Sequence, residues 1–145
     1  LLHRAEALGD ALQRQGRALF ERLAVKPESV LAGNLVPFRS PDWASLENKK
    51  EAIEFGSELW RELLAYARPK LVIGMGREVT KALSASLGTW NEEREPIGWG
   101  ATTGIRADFP SGTLIGLPHL SRFGIMFRPE SQQGLRKLFG DHWRM

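Results

Sequence analysis

Cysteine is absent from this chain. That excludes a disulfide framework, a thiolate zinc site and a cysteine-held iron–sulfur cluster, and it makes a reducing compartment, the cytoplasm, the expected location. Long apolar runs are also missing. No stretch approaches the roughly 18 residues that a membrane-spanning helix needs, so no membrane partner is expected. Leu1-Leu2 gives way at once to charged residues, unlike a signal peptide. There is no initiating Met, and the first Met is Met75, which points to removed leading residues or to a piece of a longer protein. His3, His119 and His142 are the only histidines and lie far apart, so no metal site is expected. The P-loop, His-Glu-x-x-His and Ser-His-Asp patterns are absent too, and no cofactor is implied.

What is present is an ordinary globular balance. The 145 residues are 42% apolar and 26% charged, enough for one domain, 1–145, with a real core. Charge is unevenly placed. From His119 onward Arg122, Arg128, Arg136, Lys137 and Arg144 outnumber Glu130 and Asp141, while the residues before His119 hold equal numbers of each sign. This suits a polyanionic partner, or a solvated basic helix face.

Spacing gives the elements. Leu1, Ala5, Leu8, Leu12, Leu19 and Leu23 line one face of a helix over 1–23. Ser29 to Val36 reads as a buried strand interrupted at Gly33-Asn34, and Pro37 to Asp42 as a loop. A helix from Leu46 or Asn48 to Ala67 follows and stops at Pro69. Lys70 to Ile73 is a strand, Gly74-Met75-Gly76 a turn, and Arg77 to Leu87 a helix capped by Gly88. Ile97 to Gly100 and Thr103 to Phe109 read as short strands of a hairpin or meander, Pro110-Ser111-Gly112 as a turn, and Thr113 to Leu117 as the last strand. A final helix begins near Pro129 and ends at Gly140. Single strands alternating with helices imply a three-layer α/β/α domain with a short, mostly parallel sheet. Gly74-Met75-Gly76 fits either a tight strand–helix turn or a nucleotide-binding turn whose third glycine is missing at Val79.

Two strand ends stand out. One delivers Asn34, the other the loop His119-Leu120-Ser121-Arg122-Phe123. In open α/β sheets ligands bind beyond the carboxyl ends of strands. Together, Asn34-Leu35-Val36 and His119-Leu120-Ser121, with Leu71-Val72-Ile73-Gly74-Met75-Gly76 between them, resemble the uracil-DNA glycosylase superfamily over roughly residues 29–135. Leu120 stands where the family's His-Pro-Ser-like loop has Pro. The family's first motif, a Gly- and Pro-rich loop with a water-positioning acid or amide, has no counterpart, so the resemblance implies a divergent domain or one lacking the first strand.

The resemblance implies a DNA partner and particular roles. Asn34 would read the edge of a flipped base. His119 would stabilise the negative charge on the departing base. Ser121 would contact a phosphate, and Leu120, Arg122 or Phe123 would fill the gap in the duplex. Arg128 and the other C-terminal cations would hold the backbone. The competing expectation is an interaction domain of the same architecture, self-associating through the N-terminal helix or an open sheet edge.

Overall fold

Gly100-Ala101 and Pro110-Ser111 each leave two residues between apolar runs, a length that forces neighbouring strands antiparallel. The computed structural model, which describes residues 2–35 and 48–144, with side chains from Asp10 onward in the first helix, shows that result. Helix α1 (Leu2–Leu23) is followed by α2 (Lys49–Ala67), β1 (Leu71–Met75), α3 (Arg77–Leu87), β2 (Trp90–Trp99), β3 (Thr102–Phe109), β4 (Gly112–Leu117) and α4 (Gln132–Phe139). The four strands form one sheet in the order β1-β4-β3-β2. Only β1 and β4 run parallel; β4, β3 and β2 form an antiparallel meander. The sheet is therefore mixed, not mostly parallel, because two tight turns join three of its four strands.

The strand expected over Ser29 to Val36 does not form. Pro27–Ser29 is a 3-10 turn and residues 30–35 are irregular, with Leu31 more than half exposed. Only Val30, Leu31 and Ala32 precede Gly33, too short an apolar run to hold a strand against a sheet. Val36 to Asp42 and Leu46 lie outside the described residues. In β2 the structure extends the expected strand back to Trp90, across Glu92-Glu93-Arg94-Glu95. That half is exposed and pairs only with β3, so it carries no apolar alternation.

Helices cover both faces. On one, Leu19 and Leu23 of α1 and Leu135, Leu138 and Phe139 of α4 pack with Ile115, Leu117, Leu120, Ile125 and Met126. On the other, Leu64 of α2 and Leu83 of α3 pack with Val72, Phe109 and Leu114. Gly74 and Gly116 face each other in the β1–β4 register, and both lie under Thr80 of α3. A Cβ on Gly116 would come within 2.6 Å of the Thr80 methyl, so these glycines let α3 sit directly on the parallel pair. The packing explanation thus holds for Gly74, which with Met75 belongs to β1 rather than to a turn, whereas a Cβ on Gly76 would meet nothing within 4 Å and glycine is favoured there instead by its φ of +96°. Gly88 caps α3 with φ +66°, its N–H donating to the Ser84 carbonyl, as the sequence implies.

Candidate functional site

The carboxyl ends of β1 and β4 lie side by side. The Gly76 N–H donates to the Leu117 carbonyl at 2.7 Å, tying the start of α3 to the last residue of β4. Pro118 then releases the chain into the His119 loop. The His119 carbonyl accepts from the N–H groups of Arg122 and Phe123 at 3.0 and 3.1 Å, so the loop closes into a tight turn. Leu120 points into the core and is 1% exposed, which leaves His119 and Arg122 at the surface.

The imidazole is oriented from within this turn. The Ser121 N–H donates to His119 Nδ1 at 3.2 Å, and the Ser121 hydroxyl lies 2.6 Å from the same nitrogen. An amide N–H has no alternative but to donate, so Nδ1 is the acceptor and the ring proton sits on Nε2. Burial, and then the neighbouring Arg122 charge, hold the His119 pKa below its ordinary 6.5. At neutral pH the ring is an uncharged donor through Nε2–H.

This arrangement fixes a pH dependence. The unfolded chain takes up the His119 proton more readily than the folded one, so the stability linked to this group is complete above pH 6.5. It declines as pH falls through that value and through the lower folded pKa. An NMR titration of the His119 ring is expected to give a midpoint below 6.5. Arg122→Ala is expected to raise that midpoint part of the way, because burial is the larger cause. A wild-type midpoint at or above 6.5 would contradict the assignment.

The remaining expected site residues divide. Ser121 is committed to His119 through both N–H and hydroxyl, so it positions the ring rather than presenting a free phosphate ligand. Leu120 is a correction: a side chain locked among Leu19, Ile125 and Leu135 cannot also enter a DNA groove. The half-buried Phe123 meets the edge of Trp99, with centroids 5.4 Å apart. The Arg128 guanidinium lies over the same indole, 4.7 Å from the Trp99 ring centroid, with Nε 3.5 Å from a Glu130 carboxylate oxygen.

Asn34 is exposed and belongs to an irregular segment rather than a strand end. Its carbonyl accepts from the Trp60 indole N–H at 2.9 Å, which fastens it to α2. Trp60 packs on the sheet face that carries Leu114, whereas Leu120, beside His119, packs on the opposite face. Among the described residues no hydrogen bond joins Asn34 to the His119 loop. The structure thus assembles His119, Ser121 and Arg122 beside the Gly76 turn, and leaves Asn34 outside that group.

Sequence reasoning missed two residues that hold this region. Gln15 is 4% exposed, and its Oε1 accepts from the Met126 N–H at 2.9 Å. The Gln132 side chain donates to the carbonyls of Met126 and Arg128, both at 3.1 Å. The available signal was Gln15 itself, a polar residue three positions after Leu12 and four before Leu19, within the apolar stripe of α1.

Among the described residues no group of three or more His, Cys, Asp or Glu is placed to hold a metal ion, and no described helix is long and apolar enough to cross a membrane. No protein-family model, curated protein or solved structure matches the chain.

Proposed function

We propose that this chain binds DNA and acts on a base drawn out of the stack, in the manner of a uracil-DNA glycosylase. The observation that carries the reading is the neutral His119, its Nδ1 occupied by Ser121 and its Nε2–H left as a donor at the carboxyl end of β4. When the N-glycosidic bond breaks, the electron pair stays on the base and an oxyanion develops on its edge. Water supplies the hydroxyl to the sugar carbon, and its proton passes through solvent to the departing base anion. A neutral imidazole N–H aimed at that oxyanion stabilises the departing base without a proton transfer. Arg122, exposed beside it, and the excess of cations after His119 favour a polyanionic substrate. Asn34, held to Trp60 on the other face of the sheet, takes no part in this reading.

The test is release of free base from oligonucleotides carrying uracil or other modified bases, measured alongside DNA affinity at two salt concentrations. Release, with affinity falling steeply as salt rises, supports the reading. Affinity without release reduces it to a binding role. Absence of both removes it.

A second reading, a self-associating interaction domain, is favoured by one of the two sheet edges. The β2 edge carries Pro96, four charged residues and two register irregularities, all of which block strand addition. The β1 edge, Leu71-Val72-Ile73-Gly74-Met75, has neither charge nor proline, and among the described residues no strand pairs with its outer side. The N-terminal helix is the weaker route, because Leu19 and Leu23 are already buried against the core. Sedimentation is expected to show concentration-dependent dimers if β1 pairs with its copy. A monomer at every concentration would end this alternative.

A further inference from the structure

Two backbone hydrogen bonds decide which polar groups of β1 face outward. The Thr113 N–H donates to the Lys70 carbonyl at 2.9 Å, and the Gly76 N–H to the Leu117 carbonyl at 2.7 Å. Between them β1 and β4 run parallel in the register Leu71↔Thr113 to Met75↔Leu117. Along a strand the N–H and C=O of successive residues point to alternate sides. Lys70, Val72, Gly74 and Gly76 therefore direct theirs to β4. Leu71, Ile73 and Met75 direct theirs to the outer edge, where among the described residues no strand meets them.

These outward residues also share a face of the sheet. Their side chains, half-buried, pack against the core cluster of α1 and α4, while Val72 packs with α2 and α3 on the other face. A strand covered on both faces, without charge or proline, has the character of an interior strand. What it lacks is a neighbour.

A second copy of the chain fits that place in one register. Two identical edges close on each other about a two-fold axis, which makes the new pair antiparallel. A slip of one residue would set Val72 or Gly74, already bonded to β4, against an outward residue. A slip of two would set Met75 against Pro69, which has no N–H, or Leu71 against Arg77, which belongs to α3. Centring on Ile73 leaves no outward group without a partner. We propose that two copies join through β1 about a two-fold axis at Ile73, with Ile73 opposite Ile73 and Leu71 opposite Met75, so that one sheet runs through both. The same pairs meet as apolar side chains across the seam. This inference rests on the second reading, self-association through the β1 edge, and adds the register to it. The antiparallel seam sets the two His119 loops at its opposite ends, so the pairing is independent of the chemistry proposed there.

Hydrogen exchange, read at single residues by mass spectrometry and paired with sedimentation over the same concentrations, tests it. From monomer to dimer, the N–H groups of Leu71, Ile73 and Met75 are expected to slow by about tenfold or more. Those of Val72 and Gly74, bonded to β4 in both states, are expected to keep their rates. A dimer in which the outward amides exchange as in the monomer would overturn the inference and leave self-association to another surface. Slowing at Ile73 with only one of Leu71 and Met75 would overturn the register, since a slipped pair leaves the other unpaired. A monomer at every concentration would remove the second reading and this inference together.

Discussion

His119→Ala is expected to lower base release by about a hundred- to a thousandfold, the usual effect of removing one donor from a developing oxyanion, with little change in DNA affinity. The separation follows from when the contact matters. The Nε2–H bond is weak to the neutral base and strengthens only as negative charge grows on it, so its loss falls on the chemical step. His119→Gln, which keeps an N–H donor on a flexible stem, is expected to recover part of the rate. Ser121→Ala is a sharper test. The backbone N–H of Ser121, which the substitution leaves in place, suffices to hold Nδ1 as acceptor. The variant should therefore lose less than about tenfold, well short of removing the donor itself. If Ser121→Ala proved as damaging as His119→Ala, Ser121 would be touching the substrate. Wild-type release from His119→Ala would exclude His119 from the chemistry.

The elements most legible in the sequence were those whose local chemistry agrees with their packing. Helix α3 has glycine at each end and an apolar stripe between, and β4 is a nearly continuous apolar run because helices cover both its faces. The direction of β3 was implicit in its turns, but counting strands between helices obscured it and made the sheet look mostly parallel. At the site, the sequence marked the strand end that carries His119. It did not show that Leu120 turns inward, because one apolar residue among polar ones has no period. It also did not show that Ser121 serves its neighbour, because a hydrogen bond two residues away leaves no trace in spacing. Asn34 looked like a strand-end residue only while residues 29–36 were read as a strand. The glutamine pair was hidden for a related reason: what Gln15 accepts is a backbone N–H 111 residues away.

Gly134→Val is expected to leave no cooperative unfolding transition, and Gly134→Ala is expected to lower the melting temperature by about 10 °C, from a loss of about 3 kcal/mol in a domain of this length. Helix propensity alone predicts the opposite sign, since alanine is favoured over glycine in a helix by about 1 kcal/mol. Packing decides. Gly134 lies in α4 against the backbone of β2, where an added Cβ would overlap the Pro96 carbonyl oxygen and stand 3.0 Å from Ile97 Cα. Both are backbone atoms of a paired strand and cannot swing aside as a side-chain tip would. The helix itself would have to lift. Leu135, Leu138 and Phe139, all nearly inaccessible, would lift with it. Each such side chain contributes about 1.5–3 kcal/mol by burial, so their combined loss is comparable with the whole stability of a small domain. Gly98 makes the same seam from the other side, since a Cβ there would overlap the Glu130 carbonyl. The seam also bears on the site, because α4 carries Gln132 and so anchors the Ile125–Phe127 turn. A melting temperature raised by Gly134→Ala would mean that α4 does not rest on β2 as described, and would remove the support on which the rigidity of that turn depends.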